Sequence, residues 1–599
     1  MKFTKSQLDA INHKKGPALV LAVPGAGKTT VLLERIRQLS KTIDPKHVLS
    51  ITFSKSQADD MRKRFKDKNV NFMTIHALCY LIIRYKLKKE NKQLRLLEDE
   101  NNYNKYHLLR DIYKKINNKA IPKEENDAFF TAISLMKNSM LDVDYLDNIN
   151  VKNIKNIFYQ YESFKKENHY FDFDDMQIIA YNFLQTDQNL LKRLKRQYKY
   201  VQIDEGQDTS LLQFKIIEKL IYPENNLMIV ADDDQSIYSF RGANPDYLLN
   251  LKKVYPNVKV IYLNENHRSQ KNIVNLADTF IRQNKKRYIK EVRSVNDKKG
   301  KIKAKYTKNN LSEYEYIIKN IDSNSTNAII YRNNISAISL MNFLYNKNIK
   351  FSVINSKLDF FESKILKDVI DIINFSEDQK DLELFEKIYY KIDAYIKKEW
   401  IDYLKFKPKN MNIFDFLSDK LNLNDFYIEL FDKKKKEFYH IKKLSLAKKI
   451  SFIANHLGYS NYIYSVSHKY KQIIVNKDIY FETLEYFCKD LNDLNELYDK
   501  ISIFKKLLNN KVNTNISLST IHGVKGLEFD QVFVIDLVEN EFPISHSDKN
   551  QIDLIEEERR IFYVAVTRAK NKLHLITLKS RNNIKCEKSQ FYDFVLKSK

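Results

Sequence analysis

Residues Ala22, Val23, Pro24, Gly25, Ala26, Gly27, Lys28, Thr29 and Thr30 bring two glycines, a lysine and two hydroxyls into one short stretch. In a tight glycine turn, backbone N–H groups can close around phosphate oxygens, and a following helix adds its positive end. Lys28 would reach the β/γ-phosphates, and the Thr29 hydroxyl would hold Mg²⁺. An apolar run at 18–21 precedes the turn and an apolar-periodic run at 31–36 follows it. Strand, turn and helix are the setting such a loop needs. The competing reading is an ordinary helix-capping turn. Glycine usage counts against it: of nine glycines in the chain, Gly25, Gly27, Gly206, Gly242, Gly523 and Gly526 all fall within chemistry-bearing stretches.

Further along, Asp204 and Glu205 close an apolar run, Val201-Gln202-Ile203. A nucleotide hydrolase needs one carboxylate at Mg²⁺ and another to orient the attacking water. Asp232-Asp233-Asp234-Gln235 follows another apolar run, and Gln235 could contact the γ-phosphate. Tyr238, Phe240 and Arg241 come next. Aromatic faces beside a cation suit stacked bases and a phosphate backbone. Core packing is the alternative for the two rings. His267 and Arg268 follow a further run, and two blocks lie far downstream, Thr520 to Phe529 and Glu556 to Ala569.

The elements that must position these residues fall into two blocks. Strand candidates at 18–23, 48–53, 200–204, 227–231 and 260–263 form the first; 328–331, 517–521, 532–535 and 573–576 form the second. Strands alternating with helices predict an α/β fold with doubly wound parallel sheets. Two polar helical stretches, 86–170 and 376–511, interrupt the blocks and read as insertions. The segment 389–403 reads as a helix.

At 599 residues the chain is too long for one core. Its net charge of +26 favours a polyanionic partner, although Lys- and Asn-rich drift would give the same sign. No apolar run is long enough to span a bilayer, and the N-terminus lacks an apolar leader. Cys79, Cys488 and Cys586 are too scattered for a zinc site or a disulfide framework. These features predict a cytoplasmic protein, nucleoid-associated if bacterial, with no membrane partner.

The ordered set of motifs, Asp232 to Ala243, Lys525 to Phe529 and Thr567-Arg568-Ala569, resembles superfamily 1A helicases of the UvrD/Rep/PcrA type. The resemblance implies two RecA-like domains, each with a helical insertion: 1–85 and 171–270 for the first, interrupted by 86–170, and 271–375 and 512–599 for the second, interrupted by 376–511. It implies ATP and Mg²⁺ as cofactors, bound between the domains, and 3′ to 5′ movement along single-stranded DNA with unwinding of 3′-tailed duplex. By residue, it gives Gln7 to the adenine edge, Lys28 to phosphate, and Thr29 and Asp204 to Mg²⁺. Glu205 becomes the base and Gln235 the γ-phosphate sensor. Arg268 and Arg568 become arginine fingers, with Arg568 on the second domain, and Glu528 meets the ribose. Phe53, His76, Tyr238, Phe240, Arg241, Arg332, Asn334, Thr520 and His522 form the strand track.

Departures from the family pattern are informative. Ala231 replaces a glycine and Phe240 a tryptophan, and His267 replaces a tyrosine expected against adenine. Residues 376–511 hold a single glycine, Gly458, and no Gly-hydrophobic-Gly hairpin of the kind that grips duplex. The alternative is therefore a single-strand translocase or regulatory subunit working with a protein partner such as a nuclease or repair factor. Few residues follow Arg568, too few for the nuclease domain of AddA/RecB-type relatives.

Overall fold

The computed structural model describes every residue except 1, 68, 100–103, 355–358, 470–476, 510–511, 545–550, 582–583 and 598–599. The chain divides into two compact units. The first comprises Met1–Lys301 with Ser547–Asn571, the second Ile302–His546 with Lys572–Lys599.

In the first unit, strands β1 (Ala18–Ala22), β2 (Val48–Thr52), β3 (Asn71–Thr74), β4 (Tyr200–Ile203), β5 (Leu227–Ala231) and β6 (Lys259–Leu263) form a sheet in the order β3-β2-β4-β5-β1-β6. Every neighbouring pair is parallel. β1 and β5 are wholly buried, as central strands covered on both faces must be, which explains their unbroken apolar sequence. The helical insertion has a core of its own, built from residues such as Leu109, Tyr113, Phe129, Ile157 and Tyr161.

The second unit carries β7 (Lys301–Thr307), β8 (Asn327–Tyr331), β9 (Ser352–Val353), β10 (Ile516–Thr520), β11 (Phe529–Val534) and β12 (Ala569–Leu578) in the order β7-β12-β11-β8-β10-β9. Strands β9, β10, β8 and β11 pair in parallel. Here described residues of the insertion share a core with the sheet. Ile372, Phe385, Phe414 and Phe504 join one cluster with Ile329, Leu518 and Phe533 of the sheet. Two RecA-like parallel-sheet domains with helical insertions are thus present.

Three details differ from the sequence reading. Residues 271–301 and 551–571 pack with the first unit, not the second. Helix Lys271–Ile281 lies against helix Gln551–Val566, through contacts such as Phe280 on Phe562 at 4.6 Å between ring centroids. The 389–403 segment is not one helix. A helix ends at Ile388, a short 3-10 turn covers Tyr389–Lys391, and a new helix starts at Lys398. Strands β3, β7 and β9 went unread; β7 is an edge strand whose Lys-Ile-Lys-Ala-Lys alternation keeps every second side chain in solvent.

Candidate functional site

Because all six strands of the first sheet run the same way, the segments that leave their carboxyl ends share one edge, the usual ligand edge of such sheets. In sheet order that edge carries His76 after β3, Phe53 after β2, Asp204 and Glu205 after β4, and Asp232 to Arg241 after β5. It continues with the glycine turn after β1, then His267 and Arg268 after β6. Topology alone therefore assembles these residues.

The glycine turn leads into helix Lys28–Leu39, with Gly27 at its N-cap. Gly25 sits at φ +71°, and a Cβ there would lie 2.6 Å from the Arg268 Cβ. Only glycine permits both that backbone and that approach. The Gln7 amide is tied to the turn: Nε2 donates to the Ala26 carbonyl at 3.1 Å and Oε1 accepts from the Thr4 N–H at 2.9 Å, which leaves a second N–H and a second lone pair for a ligand. Its place in this structure is to brace the turn.

A continuous run of polar contacts crosses the edge. Lys28 Nζ meets Glu205 Oε2 at 2.9 Å, and Thr29 Oγ1 donates to Asp204 Oδ2 at 3.2 Å. Gln207 donates its amide to Glu205 and accepts the Asp232 N–H at 3.0 Å. Gln235 Nε2 donates to Asp232 Oδ2 at 2.7 Å, and Arg568 Nη2 donates to Gln235 Oε1 at 3.1 Å. Arg268 Nη1 donates to the Thr567 carbonyl at 3.3 Å. Gln207 and the Asp232 side chain were missed as site residues; both lie inside strings whose other members were read.

Charge in this run is poised for a polyanion and a cation. Burial, then the neighbouring Glu205 charge, push the Asp204 carboxyl up to about 6, against the pull of Lys28. Burial opposes the Lys28 charge, but Glu205, Asp232 and Asp204 outweigh it and hold its pKa above the ordinary range. Burial, then the like charge of Arg268, lower Arg568 to about 9. Two guanidinium groups that repel one another are relieved by an incoming anion. Glu205 itself holds a left-handed backbone, φ 57°, a strain typical of sites.

A small cavity of about 50 Å³ joins Asp204 and Glu205 to Phe53 and His76. Phe53 stacks on Tyr238 at 4.9 Å with the rings 20° apart, and the Arg241 guanidinium lies 5.5 Å from the ring centroids of both Tyr238 and Phe240. Phe53 and Phe240 are exposed at 41% and 48%, large apolar rings that core packing would have hidden. Gln177 Nε2 lies 3.3 Å from His76 Nε2, within donating distance. His267 is exposed, 4.0 Å from Glu265.

In the second unit, Tyr331 and Thr520 pair at the ends of β8 and β10. Arg332 and Asn334 follow the first, His522 the second, so these three share a sheet edge with Thr520. Thr520 Oγ1 accepts the Gly523 N–H at 3.2 Å. Glu528 is exposed just before β11.

The insertion of this unit holds a turn that the sequence does not advertise. Asp393 and Tyr395 both take left-handed backbones, φ 48° and 49°, on either side of the fully buried Ala394. Left-handed backbone is the habit of glycine, and here two residues adopt it without being glycine. The lone Gly458 explains its support: a Cβ there would lie 2.3 Å from the Asp393 Cγ. Asn461 Nδ2 donates to Asp393 Oδ2 at 2.8 Å.

Among the described residues no helix is long and apolar enough to cross a membrane. The three cysteines are free.

Comparison with known proteins gives a consistent result. Residues 3–256 match the UvrD/REP helicase N-terminal domain, and residues 261–580 match the UvrD-like helicase C-terminal domain. The ATP-dependent DNA helicase Rep of Buchnera aphidicola subsp. Schizaphis graminum is 30% identical, over 97% of this chain and 94% of the relative. The ATP-dependent DNA helicases PcrA of Leuconostoc citreum and Bacillus subtilis are 27% and 26% identical, each over 96% of this chain and 82% of the relative.

Proposed function

We propose that this chain, which belongs to the UvrD/Rep helicase family, is an ATP-dependent DNA helicase that moves 3′ to 5′ on single-stranded DNA and opens 3′-tailed duplex. One observation carries the chemistry: the unbroken polar run from Lys28 and Glu205 through Gln207, Asp232 and Gln235 to Arg568.

Lys28 leaves Glu205 for the β/γ-phosphates when nucleotide binds, which frees the Glu205 carboxylate to accept a proton from the attacking water. Gln207 keeps that carboxylate oriented. Gln235 and the two arginines face the charge that builds on the transferred phosphoryl group, where a guanidinium contributes about 10³–10⁵ in rate. Thr29 and Asp204 suit Mg²⁺, since a cation relieves a buried carboxylate pushed up to about 6. Bound there, the ion would neutralise phosphate charge. Gln7, which also braces the phosphate turn, is the proposed contact to the adenine edge, and His267 and Glu528 are the proposed base and ribose contacts.

Phe53, Tyr238 and Phe240 offer stacking faces, each stacked base contributing about 1–3 kcal/mol. Arg241, Arg332, Asn334, Thr520, His522 and His76 complete the strand contacts. The cavity from Phe53 and His76 to Glu205 supports direct communication between strand and nucleotide.

A second reading, a translocase or regulatory subunit within a larger complex, draws on the missing glycine hairpin. The left-handed turn at Asp393 and Tyr395 favours the first, because it offers a glycine-like backbone in this insertion without glycine. The test is ATP hydrolysis with and without single-stranded DNA, beside strand separation of duplexes tailed at either end. DNA-stimulated hydrolysis with unwinding from a 3′ tail supports the helicase; stimulated hydrolysis without unwinding supports the second reading.

A further inference from the structure

Asp232, Asp233 and Asp234 bring carboxylate oxygens within 4.8 Å of one another, a spacing that could hold a metal ion. A lysine fills that place. Lys290 Nζ lies 2.7 Å from Asp232, 2.6 Å from Asp233 and 2.8 Å from Asp234, with no side-chain exposure. Arg287 adds a two-point contact to Asp234, both bonds 2.7 Å. Burial works against the Lys290 charge, but the three carboxylates outweigh it and hold the ammonium well above the ordinary range.

The same short strap, residues 284–290, grips helix Gln551–Val566. Asn284 Nδ2 donates to the Glu556 carbonyl at 2.8 Å, and the Lys285 N–H donates to the Glu556 carboxylate at 2.7 Å. Arg560 Nη2 donates to the Lys286 carbonyl at 3.1 Å. One end of the strap therefore holds the loop that carries Gln235. The other holds the helix that ends just before Arg568.

We propose that Lys290 is a positioning residue for ATP hydrolysis: through Asp232 it fixes which way the Gln235 amide faces. This role rests on the nucleotide reading of the site. Asp232 uses Oδ1 for Lys290 and Oδ2 for the Gln235 NH₂ group. An ionised carboxylate only accepts, so it takes the amide nitrogen and turns the Gln235 oxygen toward Arg568. Without Lys290, the three carboxylates lose the ammonium that bonds all of them, and the Arg287 contact reaches Asp234, not Asp232. Asp232 then loses its anchor, and the Gln235 amide loses the fixed acceptor that holds its nitrogen.

The test compares Lys290→Met, Gln235→Ala and the double variant in single-strand-stimulated ATPase assays, with melting curves and fluorescent ADP binding alongside. The expected result is a kcat lower by about tenfold or more in Lys290→Met with KM within about threefold, and less than about twofold further loss when Gln235→Ala is already present. ADP binding stays near wild type. Equal losses in both backgrounds, or an unchanged kcat, overturn the proposal. Where Lys290→Met does not fold, Asp232→Asn carries the test by the same criteria, since an asparagine can donate as well as accept and no longer dictates the amide's direction. Wild-type protein without ATPase, or Lys28→Ala with full ATPase, would sink the nucleotide reading itself and is told apart from either result.

Discussion

Arg568 donates to Gln235 at 3.1 Å although 333 positions separate them. Both belong to the first compact unit, where Arg568 is buried at 1% exposure. A guanidinium already docked on the proposed γ-phosphate sensor needs little reorganisation to stabilise phosphoryl transfer. Arg568→Ala is expected to lower the stimulated kcat by about 10³-fold or more, with nucleotide binding far less affected. Arg568→Lys should recover only a small part, because an ammonium lacks the planar fork. Steady-state hydrolysis at saturating single-stranded DNA measures both.

The Phe53 and Tyr238 stack offers an aromatic ledge on which a base can continue. Tyr238→Ala should weaken single-strand binding by about 1–3 kcal/mol without altering its salt dependence. Arg241→Ala should weaken it and reduce the salt slope by about one, as expected for a lost phosphate contact. Anisotropy titrations of a labelled oligonucleotide at several salt concentrations separate the two. Identical salt slopes for both variants would refute the division of labour.

His574 is buried in the second unit, with Tyr316 Oη 2.9 Å from Nδ1 and Gln531 Nε2 3.0 Å from Nε2. Burial, then Lys303 and Lys572, lower its pKa from 6.5 to about 4. The folded state therefore refuses a proton that the unfolded chain accepts. Its contribution is fully present above pH 6.5 and is lost as pH falls through about 4, a loss of about 3 kcal/mol across that window. His574→Gln should flatten the fall in melting temperature between pH 7 and pH 4.5. An unchanged slope would contradict the assignment.

Tyr395 holds a left-handed backbone with its ring 64% exposed. A bulky residue there carries strain of about 1–2 kcal/mol, so Tyr395→Gly should leave stability unchanged or raise it by about 1 kcal/mol despite the lost side chain. If the turn engages duplex, the same variant unwinds more slowly while its single-strand-stimulated ATPase is kept. Melting curves and unwinding rates read the two effects independently. Marked destabilisation would show that the ring, not the backbone, matters.

Much of this was legible because β1, β4, β5 and β8 are short, mainly apolar runs ending at motif residues, and parallel pairing brings such ends to one edge. What stayed hidden depends on partners far apart in sequence. Lys290 reads as one more lysine in a lysine-rich chain until Asp232, Asp233 and Asp234 are seen around it. Arg568 was expected on the second unit because its block precedes β12, a strand of the second sheet, yet packing of Phe562 on Phe280 draws the helix to the first. The turn at 393–395 escaped because glycine was the signal sought, and Asp393 and Tyr395 adopt its backbone without it. Strand β3 was lost because Asn71-Phe72-Met73-Thr74 is too short and mixed to stand out from the helices on either side.

The most direct test of the central claim is strand separation by purified protein with ATP and Mg²⁺ on duplexes tailed at the 3′ or the 5′ end, with Lys28→Ala as the control. A 3′ to 5′ helicase opens the 3′-tailed duplex alone, and Lys28→Ala abolishes that opening together with DNA-stimulated hydrolysis. Equal opening from either tail, or opening that survives Lys28→Ala, would contradict it.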